Sequence, residues 1–173
     1  RGLGDVYKRQ TQMFPSIMLL VPFYKILSVY GLNNSLVGLC IVYVSFTIPF
    51  CSWMMVGYFR TIPTEIDESA AIDGASHLQT FWKIALPLVK PGLVSSAIYA
   101  FITCWNEYMF AAILLVNDKL KTAAVAIAEM NGYYKIAWND MMAASLVASV
   151  PLIIAFVFMQ KSFISGLTAG AVK

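Results

Sequence analysis

Between two long apolar runs the sequence places "DESAAIDGASHLQTFWKIALP", Asp67 to Pro87, which holds the acids Asp67, Glu68 and Asp73 together with His77 and Lys83. A second polar pair, Asn106-Glu107, stands inside an apolar run, flanked by Trp105 and Tyr108. Few chemistries suit these residues. A single histidine among scattered carboxylates has no metal-ligand spacing, so no metal site is expected. Cys40, Cys51 and Cys104 are odd in number, far apart and without a Cys-x-x-Cys pair, and read as small packing residues. No G-x-x-x-x-G-K-[ST] occurs, so the chain is not expected to bind or hydrolyse ATP by itself. No nucleophile is paired with a base, so no catalytic residue and no cofactor is assigned. What remains is docking by the first stretch and a buried polar contact at the second. A charge near the middle of a membrane span costs about 2.5–3.5 kcal/mol on insertion scales, so Glu107 must face a bundle interior or a water-filled cavity. Two roles stay open for it: a pathway or gate contact, or an interhelical hydrogen bond that locks packing.

The elements that carry these residues follow from composition. The chain has 173 residues, 60% hydrophobic and 12% charged, where a soluble domain would carry about a quarter charged residues. Its mean hydropathy of +0.72 points the same way, to an all-α, polytopic membrane helical bundle. The formal charge of +3 leans on the first ten residues, "RGLGDVYKRQ". Residues 1–10 match neither a signal peptide nor a helix and are set aside as non-native sequence. Without them nine basic residues face eight acidic ones, which excludes a nucleic-acid partner. A span needs about 20 mostly apolar residues. Four segments of residues 11–173 are expected to qualify: 13–30, 35–59, 92–116 and 137–159. "GLNNS" makes a tight turn between the first two. Pro22, Pro49 and Pro151 fall inside spans, where neighbouring helices can satisfy the freed carbonyls. Small residues suggest contact faces: Ser96, Ala100 and Cys104 on the third span, and Ala144, Ala148, Ser145 and Ser149 on the fourth. Five cations against three or four put the 60–91 connection on the cytoplasmic side, in membrane lipid with multiple passes.

The 60–91 connection reads as two short helices meeting at a corner. Thr64-x-x-Asp67 is a loose capping box, with Glu65, Asp67 and Glu68 at the positive end of the helix dipole. Gly74 ends that helix as a residue able to take positive φ. Ser76-x-x-Gln79 is a better capping box, opening a helix expected to end at Pro87. Ile66, Ala70 and Asp73 share a face of the first helix, with Ala71 adjacent, and small side chains there let a partner surface approach closely. Leu78, Phe81, Trp82 and Ala85 form an apolar stripe on the second, able to pack on the chain's own span ends or in another protein's groove.

Glu68-Ser69-Ala70, three residues, Gly74, nine residues, Ile84-x-Leu86-Pro87 resembles the EAA loop of binding-protein-dependent ABC importer permeases, with Ser69 in place of the first alanine. "FITCWNEYMFAAILL" and the ending "GLTAGAVK" are similar to the carbohydrate-uptake branch, the maltose-type inner-membrane subunit. The resemblance implies a type I ABC importer transmembrane domain lacking its first spans, since full permeases of this branch have six. It implies ATPase-coupling roles for Glu68, Ser69, Ala70, Ala71, Asp73, Gly74, Leu78, Ile84, Leu86 and Pro87. It also implies partners: an ABC ATPase subunit dimer, a second permease subunit and an extracytoplasmic solute-binding protein. Asn131, Gly132, Tyr133 and Tyr134, in the outer connection, are placed by resemblance toward the binding protein. Trp105, Asn106, Glu107 and Tyr108 could line a sugar pathway, with rings stacking on the sugar, or serve packing. The small-residue tail from Gly166 is expected to be flexible and to reach the ATPase dimer. Two alternatives are a same-fold permease for glycerol phosphate, polyamine or amino acid, and an ion-coupled transporter or channel without an ATPase. The second would predict repeated halves, and no repeat is visible.

Overall fold

A computed structural model describes residues 15–132 and 137–171, with side chains through Phe158. After a 3₁₀ turn at Ser16–Leu19 come α1 (Leu20–Val29), α2 (Leu36–Phe59) and α3 (Thr64–Ile72). Helix α4 opens at His77–Thr80, widens into a π turn over Phe81–Ala85 and closes with Leu86–Leu88. Helices α5 (Lys90–Trp105), α6 (Met109–Leu114), α7 (Ala123–Glu129) and α8 (Trp138–Ala171) complete the order. The set-aside stretch 1–10 lies outside the described residues.

Two of the four expected spans, the second and the fourth, are single helices long and apolar enough to cross a membrane. They are Leu36–Phe59 and Trp138–Phe158, the latter part of a helix that runs on through Ala171, where the sequence suggested a flexible tail. A third candidate exists if His77–Leu88 and Lys90–Trp105, bent by 70°, act as one. The first expected span is represented among the described residues by the shorter Ser16–Val29. The third does not run unbroken over 92–116. It stops at Trp105 and restarts at Met109, because Glu107 takes over backbone amides that a continuous helix would pair internally.

The chain divides into two compact units. One comprises residues up to Pro49 with Phe101–Ile154. Its core joins Leu27 of α1, Leu39 and Val42 of α2, Phe110, Ala111 and Leu114 of α6, Leu115, and Val125 of α7. Phe23, Phe46 and Phe110 form a three-ring cluster with centroids 5.0–6.1 Å apart. The turn after α1 closes in a Schellman arrangement: Gly31 (φ +66°) donates to Ser28 and Leu32 to Leu27. Asn34 (φ +55°) then clasps the other end of the unit. Its side-chain oxygen accepts from the amides of Val116 and Asn117 at 3.0 and 2.9 Å, and its own amide donates to Leu114.

The other unit comprises Phe50–Ala100 with the chain from Ala155. Here α2 and α5 meet along a row of small residues. Gly92, Ser95 and Ser96 are buried, Cys51 Sγ lies 3.6 Å from the Ser96 carbonyl, and Phe50 and Tyr99 rings sit 4.0 Å apart. Of the small residues expected to mark this face, Ser96 lies in the seam, and Gly92 and Ser95 extend it toward Tyr58.

Candidate functional site

The 64–88 segment forms the expected corner, with its joints built differently in part. Pro63, extended at φ −61° and ψ 140°, is the N-cap of α3. Thr64 is therefore already helical and does not cap, because a capping side chain must come from an extended residue ahead of the first turn. Glu65 and Asp67 still lie in that first turn. The far end is a complete Schellman motif. Asp73 is the C-cap, Gly74 (φ +77°) donates to Ala71 at 3.1 Å and Ala75 donates to Ala70 at 3.0 Å. Ser76 then opens α4 with a reciprocal capping box: its hydroxyl accepts from the Gln79 amide, and the Gln79 side chain accepts from the Ser76 amide at 2.9 Å.

Pro87 does not end α4. The π turn over Phe81–Ala85 precedes it, the helix continues to Leu88, and the bend comes at Val89. A π turn widens the ladder, so the missing proline amide falls where the regular spacing of acceptors has already been lost. The expected apolar stripe is split by this change of register. Phe81 stacks on Phe59 at 6.1 Å, while Leu78 and Trp82 stay 73% and 63% exposed. In α3 only Ala70 is buried, at 4%; Glu68, Ser69, Ala71, Asp73 and Gly74 are exposed, as is Pro87, while Ile84 and Leu86 are half-buried. A groove of about 460 Å³ occupies the elbow, lined by Phe59, Asp67, Ala71, His77, Phe81 and Ala85. The corner thus presents an acid-flanked, small-residue ridge beside a concave face with exposed apolar side chains.

The second polar cluster is resolved by hydrogen bonds. Glu107 Oε1 accepts from the Phe110 amide at 2.9 Å, and Oε2 accepts from the Ala111 amide at 3.1 Å and the Tyr43 hydroxyl at 2.9 Å. Trp105 Nε1 donates to the Ala148 carbonyl at 3.1 Å, three residues before Pro151. Asn106 donates its side-chain amide to the Ile102 carbonyl in its own helix, and Tyr108 is exposed. Tyr43, the long-range partner, had no distinguishing mark in the sequence; the only signal was that an intramembrane carboxylate needs a donor somewhere.

In the connection expected to face outward, Asn131 and Gly132 follow α7 and are exposed, while Tyr133 and Tyr134 lie outside the described residues. Lys121 there bonds Asp118 and Glu129, each at 2.6 Å. The hydrogen bond and charge of Lys121 hold the Asp118 carboxyl below its usual range, and the hydrogen bonds the Lys121 ammonium donates to both acids raise it.

A family model described as "Binding-protein-dependent transport system inner membrane component" matches residues 7–168. The chain belongs to this family. It is accordingly a multi-pass inner-membrane protein of a transport family. This inner membrane component is 40% identical over 174 residues to the trehalose/maltose transport system permease protein of Thermococcus litoralis, covering 100% of the chain and 63% of that relative. It is 39% identical to the maltodextrin transport system permease protein of Bacillus subtilis, over 94% of the chain and 59% of the relative. The chain therefore spans about three-fifths of the length of these relatives. A solved structure of a bacterial ABC transporter involved in import of the acidic polysaccharide alginate superposes with a TM-score of 0.68. The identity there is 26%, over 83% of this chain and 55% of that one.

Proposed function

We propose that the chain is the membrane-spanning part of a permease subunit in an ATP-driven, binding-protein-dependent sugar importer. Two ATPase subunits, a second permease subunit and an external solute-binding protein complete it. The observation that carries this reading is the corner. Its exposed α3 ridge, with Ala71 and the capped Gly74 joint, presents the Glu68–Pro87 pattern to a partner as one rigid elbow. A close-packing surface of small residues suits a groove on an ATPase, and acids beside it suit cations on that groove. The elbow is held to its own unit through Ala70 and the Phe59–Phe81 stack, so a push on α3 passes into α2 and the bend at Val89. Movement of packed rigid elements is how alternating access would follow from ATPase closure. Sugar is favoured as solute because the trehalose/maltose and maltodextrin relatives match over nearly the whole chain.

The test is a disulfide crosslink from Ala71→Cys in the full-length permease to cysteines on a co-expressed cognate ATPase, in membranes, with and without ATP. A crosslink that changes with ATP and weakens with Gly74→Val supports the coupling role. With both proteins present and folded, the absence of any crosslink from Ala71→Cys or Leu78→Cys would overturn it.

A further inference from the structure

The third apolar segment is broken at the one point where it carries an acid, and the break is held from two sides. Across it, Glu107 and Phe110 stand three residues apart on α6 and its approach, and Tyr43 and Phe46 stand three residues apart on α2. They meet as two rungs: the Tyr43 hydroxyl on Glu107 Oε2 at 2.9 Å, and the Phe46 ring against the Phe110 ring at 5.0 Å. Phe110 is 3% exposed, and its amide is one of the two that Glu107 caps. Two residues before Glu107, the Trp105 indole fixes the same break to α8 through the Ala148 carbonyl.

Three donors, from elements separated by 64 residues in sequence, fill both acceptor positions of Glu107 Oε2 and one of the two on Oε1, so the carboxylate is committed chiefly to the protein itself. We propose that Glu107 is a positioning residue for transport: it acts through Tyr43 and the first turn of α6 to set α6 on α2, and does not touch the solute. The proposal rests on the permease reading above. The Tyr43 ring packs against the core and its hydroxyl bonds Glu107, so Tyr43→Phe removes the bond while keeping the packing, which makes the pair separable by experiment.

The test uses the full-length, assembled transporter in proteoliposomes, with radiolabelled maltose and trehalose as probes, and the variants Glu107→Gln, Tyr43→Phe and both together. Glutamine keeps one acceptor oxygen but turns an amide nitrogen toward a donor. Losing hydrogen bonds to a charged group predicts a fall of about tenfold or more in maximal uptake per assembled transporter for Glu107→Gln. Half-saturation stays unchanged, Tyr43→Phe loses less, and the double variant is no worse than Glu107→Gln alone, because the two act as one unit. A raised half-saturation in Glu107→Gln would overturn the proposal in favour of solute contact. Losses that multiply in the double variant would overturn it as well. So would variants that lower only the amount of assembled transporter while uptake per complex holds. If the unmutated transporter accumulates neither sugar with ATP, the permease reading for these sugars fails first, a result that cannot be confused with the others, and the proposal falls with it.

Discussion

Replacing Gly74 isolates what the corner between α3 and α4 owes to backbone conformation. Its φ of +77° lies in the left-handed region, and a β-carbon built there meets no atom within 4 Å. Steric crowding by neighbours is therefore absent, and only the local backbone penalty remains. For an ordinary L-residue that penalty is about 1–2 kcal/mol. It shifts the closed corner toward opening by a factor of about 5–30. Asparagine tolerates the left-handed region better than alanine, and a β-branched side chain tolerates it worst. The expected order of loss is thus Asn, then Ala, then Val. The assay is hydrogen exchange at the Ala75 amide in the intact transporter, since that amide is tied to Ala70 in the Schellman motif. Exchange should quicken by about 5–30-fold in Gly74→Ala and by less in Gly74→Asn. If Gly74→Ala exchanges like the parent, or Gly74→Asn is as fast as Gly74→Ala, the conformational account of the corner is wrong.

Other positions follow the same logic. A β-carbon at Gly92 would stand 2.4 Å from the Tyr58 ring, so Gly92→Ala should destabilise the α2–α5 seam by about 1–3 kcal/mol, seen as a lower melting temperature. Tyr58→Leu in the same chain should recover much of that loss. Asn34→Ala should cost about 1 kcal/mol, read as faster exchange at Val116 and Asn117, and Asn34→Gly should relieve only the backbone share. The Lys121 knot should depend on pH at both extremes. Asp118 is held low, so its contribution is present above the ordinary carboxylate range and fades as pH falls through its lowered value. Lys121 is raised, so its contribution is present below the ordinary lysine range and fades as pH rises through the raised value. Exchange protection over Ala123–Glu129, corrected for intrinsic rate, should be flat near neutrality. Lys121→Met should remove the acid limb; an acid limb that survives the substitution refutes the assignment.

Features set by a few neighbouring residues were legible in the sequence. The Ser76–Gln79 box and the Gly74 cap depend on three or four consecutive positions, and both formed as expected. The Thr64 cap failed on an equally local point, since Pro63 took the N-cap position. The π turn was not legible, because nothing in "FWKIA" distinguishes it from an α turn until Pro87 removes an amide. The division of the Leu78, Phe81, Trp82 stripe followed from that turn. The third span read as continuous because hydrophobic periodicity carries no information about a partner 64 residues away. Glu107 was visible as an anomaly, and the sequence left its role open between pathway and packing. Tyr43 was invisible among the other aromatics of its span.

The positions of the helix ends explain why some partners were local and others distant. At Gly31 and Gly74 the chain turns in Schellman motifs, using nearby carbonyls, and exposed groups there can also bond water. The α5–α6 break falls inside an apolar run, and in a bilayer core, with no water to replace a lost intrahelical bond, each unpaired amide is expensive. Such a break must import acceptors from a side chain, and one carboxylate supplies both oxygens to two successive amides. Tyr43 then satisfies the remaining capacity of Oε2 and binds the break to a second helix. A carboxylate in lipid and a broken helix in lipid are each unfavourable alone, and here each meets the other's need. This mutual satisfaction accounts for Glu107 standing at the break rather than elsewhere in the span, without requiring that it meet the solute at all.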